Sequence, residues 1–281
     1  MENLKLETDF SIIIVNFNSG ELLKNCLDSI FHHIHGSYQV IVYDNASSDD
    51  SFLHVQNIYP DSLSLTLING DQNLGFSKAN NKAVEQSCGR FLHFLNPDVI
   101  VNSELNKDYQ RISRTSNQGI WVTSLVDQEG RLLKNKHLIP RLKNFINRLA
   151  NRNDLAYWNT GASVLMNRSI FDQLGGWSED TFMYAEDMEL FYQAYLRNIK
   201  VHYLDTRVIH IGKGSSKHKW NERERAQVIE RSFLQFFTRR GAAWEYYIIR
   251  PILLLYILVN EPHRFGLQLS VFFQHCFKRT K

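Results

Sequence analysis

The chain has 281 residues and a formal net charge of +3, and 43% of its residues are hydrophobic. This length allows one large or two smaller domains with a packed core, and the composition excludes collagen-like, coiled-coil and disordered proteins. So mild a charge gives no indication of nucleic-acid binding. The three cysteines, Cys26, Cys88 and Cys276, are far apart and form no CxxC pair. Their spacing favours a reducing compartment over a disulfide framework or a zinc site.

The chain shows no sequence signal for secretion or for spanning a membrane. Residues 1–10, MENLKLETDF, lack the basic and apolar regions of a signal peptide. The most apolar segment, Tyr246–Val259, is shorter than the ~20 residues that a bilayer requires, and it contains Arg250 and Pro251. We therefore expect a cytoplasmic protein. Tyr246–Val259 is expected either to touch the inner face of the cell membrane or to pack on the protein or across a homodimer interface.

Strands and helices alternate along the first half of the chain. Short apolar, β-branched runs predict strands at Phe10–Val15, Tyr38–Tyr43, Leu63–Ile68 and Phe91–Leu95. Helical spacing of apolar residues predicts helices between them, at Ser19–Ile34, in the segment that ends near Tyr59, and at Ser77–Ser87. This alternation predicts an α/β fold with a mostly parallel sheet and helices on both faces.

The second half of the chain is less regular. Strands are predicted at Ile120–Val126, Gly161–Met166 and Val201–Leu204, and helices at Glu186–Arg197 and Asn221–Arg239. The basic, poorly periodic segment Arg131–Arg152 is interpreted as a mobile loop or flap. We expect a catalytic domain over residues 9–218 and a helical extension over residues 219–281.

Asparagine and aspartate side chains follow each predicted strand of the first half. They are Asn16 and Asn18, Asp44 and Asn45, Asn69 and Asn73, and Asn96 and Asp98. Ligands of open α/β sheets bind at the carboxyl ends of the strands, so these side chains indicate one binding crevice. The alternative is that asparagine and aspartate simply form the turns there.

Three further positions could carry chemistry. Asp98 directly follows a buried strand and could hold Mg²⁺ or Mn²⁺, or could cap a turn. Glu186 and Asp187 open a helix, where one of them could act as a general base, although acidic residues also favour helix N-termini electrostatically. His210 precedes a run of small residues and could be a metal ligand or a packed side chain.

Seven segments in collinear order resemble the family 2 glycosyltransferases, and within them the rhamnosyltransferase-type branch. The segments are SIIIVNFNS, VIVYDNASSDDS, NLGFSKANN, FLNPDV, WNTGASVLMNR, GGWSEDTFMYAEDMEL and HIGKGSS, within residues 9–240. The resemblance implies a GT-A fold, with a Rossmann-like, mostly parallel sheet flanked by helices. It also implies a nucleoside diphosphate sugar donor, a divalent cation (Mg²⁺ or Mn²⁺) and inversion at the anomeric carbon.

The resemblance also implies how the donor is bound. Asp44 matches the aspartate that accepts a hydrogen bond from the uracil or thymine base, and Asn16 matches the loop that lines that base. Asn73, Gly75 and Asn80 match the segment that helps to hold the nucleotide. Basic residues often approach the donor diphosphate at the positions of Arg231, Arg239 and Arg240.

The remaining matches concern the metal and the base. Asp98 matches the last aspartate of the DxD motif, a metal ligand, while Asn96 stands at its first position, and His210 matches a late metal-binding histidine. Asp187 matches the second residue of the ED motif, the expected catalytic base, with Glu186 beside it. The implied reaction is a single in-line displacement on a dTDP or UDP sugar, with rhamnose favoured and a saccharide or lipid-linked saccharide as acceptor.

Two other functions compete with this one. A sugar-nucleotide nucleotidyltransferase would need a glycine-rich, basic loop after the first strand, and VNFNSGE there has no lysine or arginine before Lys24. A carbohydrate-binding scaffold without catalysis would not need Asp98, Asp187 or His210, and all three are present. The sequence therefore favours a glycosyltransferase, and the resemblance implies a role in cell-surface polysaccharide biosynthesis.

Overall fold

The computed structural model describes residues 8–60, 62–212 and 221–277. Eight of the strands in these ranges form one sheet in the order β3-β2-β1-β4-β9-β6-β10-β5, and β7 pairs with β8 beside it. The strands are β1 (Phe10–Asn16), β2 (Tyr38–Asp44), β3 (Leu65–Asn69), β4 (Phe91–Leu95), β5 (Val99–Ile100), β6 (Ile120–Val126), β7 (Lys136–Leu138), β8 (Tyr157–Asn159), β9 (Ser163–Asn167) and β10 (Val201–His210).

Helices cover both faces of this sheet and continue beyond it. Those of the α/β part are α1 (Glu21–His33), α2 (Ser51–Ile58), α3 (Phe76–Glu85), α4 (Ser103–Ser113), α5 (Leu142–Leu149), α6 (Arg168–Leu174) and α7 (Glu186–Leu196). Three more form the C-terminal extension, α8 (Glu222–Thr238), α9 (Ala243–Asn260) and α10 (Pro262–Phe277). The predicted α/β class with a helical extension is confirmed.

The continuous apolar sequence of β1 explains why this strand lies inside the sheet, with helices on both faces. Ile12 and Ile14 pack in one hydrophobic cluster with Leu23 and Leu27 of α1. Ile13 faces the opposite cluster, which contains Trp177. A strand covered on both faces needs continuous apolar residues, because successive side chains point to opposite sides. β1 therefore pairs in parallel with both β2 and β4, and the carboxyl ends of all three lie at one edge.

The other half of the sheet contains antiparallel strands. β9 runs antiparallel to both β4 and β6, and β5 runs antiparallel to β10, so four of the seven pairings in the sheet are parallel. β10 is also longer than the predicted Val201–Leu204, since it continues to His210 after an irregularity between Tyr203 and Arg207. That irregularity interrupts the apolar alternation on which the shorter prediction was based.

The prediction of a loop at Arg131–Arg152 is wrong, because this segment contains β7 and α5. The side chain of Asn144 on α5 is buried and donates to the carbonyl oxygens of Ile139 and Ala156. Arg141 forms an ion pair with Glu245 of α9, with 2.8 Å between the nitrogen and oxygen atoms. Leu142, Phe145, Ile146 and Leu149 of α5 have helical spacing, so the sequence itself contained the signal for this helix, which the basic composition of the segment obscured.

The C-terminal helices pack against the α/β part through a third hydrophobic cluster. Phe236, Phe237 and Tyr246 of the extension share this cluster with Met188 of α7 and Ile139. No helix in the described ranges is long and apolar enough to cross a membrane. The extension is thus joined to the helix that begins with Glu186 and Asp187 by continuous packing.

Candidate active site

A crevice of about 310 Å³ lies at the carboxyl edge of the sheet. The loops after β1, β2, β3 and β4 form one side of it, as the polar residues after these strands predicted. The other side comes from the turn before β9, the start of α7, the end of β10 and helix α8. Seven of the residues predicted to lie at a crevice or to carry chemistry line this one, namely Asn45, Asn73, Asn96, Asp98, Glu186, Asp187 and His210.

Asp98 and His210 are brought together from positions far apart in the chain. The Nε2 atom of His210 is 3.4 Å from Oδ1 of Asp98, and both side chains are largely buried. The antiparallel register pairs His210 with Val99, and the amide of Ile211 donates to the carbonyl oxygen of Asp98. A carboxylate oxygen is a ligand that Mn²⁺ and Mg²⁺ prefer, and an imidazole nitrogen at this spacing could be a second ligand of the same ion.

Asp98 and His210 are thus two candidate protein ligands for a metal ion. Among the described residues, no group of three or more histidine, cysteine, aspartate or glutamate side chains could hold a metal ion. Asn96 lines the crevice near Asp98, and its backbone amide donates to the carbonyl oxygen of Ala162. Mg²⁺ commonly binds through one or two carboxylates and completes its shell with substrate phosphates and water, which agrees with so few protein ligands.

Glu186 and Asp187 occupy the first turn of α7. The amides of Met188 and Gly161 donate to the two carboxylate oxygens of Asp187, at 2.7 and 3.4 Å. Burial raises the pKa of the Asp187 carboxyl, and these backbone donors oppose the shift. Burial also raises the pKa of Glu186, to which the neighbouring Asp187 charge adds. Among the described residues, Oε2 of Glu186 has no hydrogen-bond partner. The site thus contains a carboxyl pair whose proton affinity is increased by exclusion of water.

A strained turn presents this pair to the crevice. Tyr184 and Ala185, directly before α7, both have left-handed backbone conformations, with φ of 67° and 70°. Such conformations are costly for residues with a Cβ and persist where surrounding contacts impose them. Helix α8 supplies those contacts, since Ser232 Oγ donates to the Met183 carbonyl at 2.8 Å and Arg225 Nε donates to Tyr184 Oη at 3.0 Å. The C-terminal extension therefore holds the turn that orients Glu186 and Asp187.

The predicted base-binding residues Asp44 and Asn16 are buried and bonded to each other. Nδ2 of Asn16 donates to Oδ1 of Asp44 at 2.7 Å, and also to the hydroxyl of Ser51. The other oxygen of Asp44 accepts from the amide of Ser47 at 2.9 Å. These bonds join the loops after β1 and β2 behind the crevice wall. Their role in recognising the base stays a prediction.

The predicted nucleotide segment forms a compact loop between β3 and α3. Oδ1 of Asn73 accepts from the Gly75 amide at 3.0 Å and from the side chain of Asn45 at 3.1 Å. Asn45, which the sequence analysis did not select as a donor-binding residue, also lines the crevice. Asn80 is buried and donates to the Phe76 carbonyl. Asn73 and Asn45 therefore reach the crevice, whereas Asn80 stabilises helix α3.

Gly75 allows a close approach between this loop and the segment that connects α6 to α7. Its φ is 81°, and a Cβ placed there would lie 2.2 Å from the carbonyl oxygen of Phe182. We expect Gly75→Ala to lower the free energy of unfolding by about 2 kcal/mol or more, which thermal or urea unfolding measures. Gly130→Ala is the matched control, since Gly130 has φ of 78° and open space around its Cβ position. Equal losses in the two variants would contradict the role assigned to the contact.

Arg225 is the residue that the sequence analysis missed. Among the described residues that line the crevice, it is the single arginine or lysine. The arginines considered from the sequence lie elsewhere: Arg239 pairs with Asp180, Arg240 pairs with Glu189, and Arg231 is exposed outside the crevice. The run ERER at 222–225 is typical of a solvent-exposed helix N-terminus, so the sequence did not indicate that Arg225 reaches the crevice.

This fold and site define a class: an α/β protein with a crevice at the strand ends that contains the Asp98–His210 pair, the Glu186–Asp187 carboxyl pair and, among the described residues, one arginine. The match to known families is more specific. Residues 11–175 match the family described as Glycosyl transferase family 2, which is more than half of the chain. The protein belongs to this family, as the seven segments indicated.

Two relatives support the assignment. The chain is 30% identical over 208 residues to the low-salt glycan biosynthesis hexosyltransferase of Haloferax volcanii, a match that covers 69% of this chain and 64% of that protein. It is 25% identical over 215 residues to the rhamnosyltransferase WbbL of Escherichia coli K12, covering 69% of this chain and 79% of that protein. The chain thus matches slightly less than two thirds of the length of the archaeal relative.

A solved structure supports the fold. The mannosyltransferase PcManGT of Pyrobaculum calidifontis, determined in complex with GDP-Man and Mn²⁺, superposes with a TM-score of 0.58. The match covers 95% of this chain and 74% of that one, at 18% sequence identity. At this identity the likeness concerns the fold alone, which is the predicted GT-A fold.

Proposed function

We propose that the protein is an inverting, metal-dependent glycosyltransferase that transfers a sugar from a nucleoside diphosphate to an acceptor hydroxyl. The observation that carries this proposal is that one crevice contains both the Asp98–His210 pair and the half-buried Asp187. The first suits a cation that binds diphosphate, and the second suits a general base. PcManGT, a protein of the same fold, was solved with a nucleotide sugar and Mn²⁺.

The chemistry is assigned to residues as follows. The acceptor hydroxyl oxygen attacks the anomeric carbon while the bond from that carbon to the diphosphate oxygen breaks. Asp187 takes the hydroxyl proton, and the electron pair of the broken bond leaves with the diphosphate. This direct displacement inverts the anomeric centre and needs no covalent enzyme intermediate. Asp98 and His210 would hold Mg²⁺ or Mn²⁺, which supplies positive charge for the diphosphate when bound.

Arg225 is proposed to stabilise the negative charge that develops on the leaving diphosphate, in addition to its hydrogen bond with Tyr184. Its guanidinium is half-buried at the crevice, and its Nε is the atom that bonds to Tyr184. A fixed cation beside developing negative charge stabilises the transition state. Its position makes it a better candidate for this role than Arg231, Arg239 or Arg240.

We expect Arg225→Met to lower kcat/KM by about 10–100-fold, because a charge-assisted contact is lost from a site that excludes water. The measurement is steady-state transfer with a labelled nucleotide sugar. Arg231→Met is the matched control, since Arg231 lies on the same helix and is exposed outside the crevice. A loss of the same size in both variants would contradict the assignment to Arg225.

The substrates proposed are a dTDP or UDP sugar, with rhamnose favoured, and a saccharide or lipid-linked saccharide acceptor. Uracil and thymine share the N3–H that Asp44 would accept, so both bases stay in the proposal. The similarity to the rhamnosyltransferase WbbL supports the sugar, and the similarity to a glycan biosynthesis enzyme supports a role in cell-surface polysaccharide biosynthesis. Such an enzyme would work in the cytoplasm, at the inner face of the cell membrane.

A donor screen tests this proposal. The enzyme is incubated with Mn²⁺ or Mg²⁺, dTDP-rhamnose or a series of UDP sugars, and GlcNAc-type acceptors, and mass spectrometry detects the added sugar. The proposal predicts a product mass increased by one deoxyhexose with dTDP-rhamnose. Transfer from a UDP sugar alone would retain the reaction class and replace the sugar, whereas no transfer from any nucleotide sugar would contradict the function.

A further inference from the structure

Helix α9 is apolar on the side that faces water as well as on the side that packs against the protein, and its charged residues point inward. Its two charged residues, Glu245 and Arg250, are both buried. Its solvent-facing side is apolar and includes Trp244, Ile248, Ile252, Leu255, Tyr256 and Val259. We call this side the outer face of α9. A surface helix normally shows charged residues to water and apolar residues to the core.

The buried charges explain how the inner side of α9 is held. Arg250 donates to both carboxylate oxygens of Glu230 on α8, and to the side chain of Gln268 on α10. Glu245 accepts from Arg141, which precedes α5. With these partners the charges are satisfied inside the protein, and the rotation of the helix is fixed by contacts with α8, with α10 and with the segment before α5. The packing of the C-terminal extension therefore fixes which side of α9 faces outward.

Exposed apolar side chains are more frequent on α9 than on the other elements in the described ranges. Of the nineteen large apolar side chains that are exposed among the described residues, eight lie on α9. Leu255 and Val259 are exposed to 62% and 79%. Contiguous apolar surface of this kind marks a site of interaction with a membrane or with another protein. Single exposed apolar residues, such as those elsewhere on this chain, need no such explanation.

The distribution of charge selects a membrane as the partner. Residues 219–281 carry 11 lysines and arginines against 5 acidic residues, a net charge of +6, so residues 1–218 carry a net −3. An anionic leaflet attracts such a segment, whereas two copies of it would repel each other. Trp244 and Tyr256 also suit the boundary of a bilayer, because each has an apolar ring and a polar tip.

We infer that the outer face of α9 is a docking surface for an anionic lipid leaflet, on which the helix lies flat. The 18 residues of α9 extend over about 27 Å, enough for a broad contact parallel to the surface. Helix α8, which packs on α9, also contributes Arg225 to the crevice. Docking therefore orients the crevice relative to the leaflet. This orientation would bring a lipid-linked acceptor to the crevice, a consequence that rests on the proposed transferase function.

The experiment is sedimentation of the full chain with vesicles. Wild-type protein is mixed with phosphatidylglycerol-containing or pure phosphatidylcholine vesicles, at about 0.1 M and about 1 M salt. We expect binding to the anionic vesicles that weakens in high salt. The double variant Ile252→Glu/Leu255→Glu should bind about tenfold less or weaker still, because two apolar contacts become anionic. Leu53→Glu/Leu132→Glu, at exposed leucines outside the extension, is the matched control and should bind like wild type.

Melting temperature and transfer to a water-soluble acceptor establish that each variant is folded, and sedimentation equilibrium gives its oligomeric state. Failure of the wild type to bind anionic vesicles would overturn the inference. If the wild type is a dimer that does not bind vesicles, and the α9 variant is a monomer, the outer face is instead an interface between two copies of this chain. Equal binding of the α9 variant and the wild type would assign the contact to basic residues alone and also overturn it. Vesicle binding is measured without turnover, so its failure is distinguishable from failure of the proposed function.

Discussion

Replacement of Asp187 by asparagine should lower turnover by about 10²–10⁴-fold, the range expected when a general base is lost. The amide keeps the shape of the side chain, and its oxygen can still accept from the Met188 amide, while its NH2 group replaces the oxygen that accepts the long bond from the Gly161 amide. It cannot take the proton of the acceptor hydroxyl. Nucleotide affinity should change little, because the side chain is proposed to act on the acceptor. Calorimetry with the nucleoside diphosphate and a turnover assay measure the two quantities separately.

Two control variants sharpen this test. Asp172→Asn removes an exposed carboxylate from α6 and should leave turnover unchanged. Glu186→Gln should retain most of the activity if Asp187 is the base. If Glu186→Gln abolishes turnover while Asp187→Asn behaves like wild type, the base has been assigned to the wrong carboxyl of the pair.

The same proposal predicts how turnover depends on pH. Burial raises the pKa of Asp187, and a base must be deprotonated to act. Turnover should therefore fall as the pH is lowered through that raised pKa, at a higher pH than the ~4 of an ordinary aspartate. Because Glu186 is adjacent, the observed midpoint reports the pair rather than one carboxyl. The Asp187→Asn variant should lose the steep acidic limb of the profile.

Removal of the divalent cation should lower turnover by about 10²–10³-fold, because several kcal/mol of charge stabilisation at the diphosphate are lost. Exhaustive chelation followed by addition of Mn²⁺ or Mg²⁺ tests this directly, with recovery as the expected result. Asp98→Asn and His210→Gln should each weaken metal-dependent binding of the nucleoside diphosphate in calorimetry. The two substitutions should weaken this binding to a similar extent, since the side chains of Asp98 and His210 are 3.4 Å apart and line the same crevice.

His54→Gln is the control for the histidine substitution, because His54 is exposed on α2 and remote from the crevice. It should leave both metal dependence and nucleotide affinity unchanged. Full activity after complete chelation would contradict the metal role. The diphosphate would then have to be held by Arg225 and by backbone donors of the crevice.

The sequence alone determined the parts of this protein that depend on local pattern. The apolar run of β1 predicted a strand buried on both faces, and the structure places it at the centre of the sheet. Polar residues after successive strands predicted a shared crevice, since parallel strands that pair side by side end at one edge. Asp98 and Asp187 were selected as candidates because their motifs are short and contiguous, and both line the crevice, while their chemical roles stay predictions.

Only the tertiary structure decided which distant residues meet. The 3.4 Å approach of His210 to Asp98 depends on an antiparallel pairing that no local pattern indicates. Arg225 reaches the crevice because α8 packs beside the turn at Tyr184. The outer face of α9 could not be read from its sequence, which is apolar nearly all round. Which side faces outward is set by the buried partners of Arg250, and such long-range contacts leave no periodic trace in the chain.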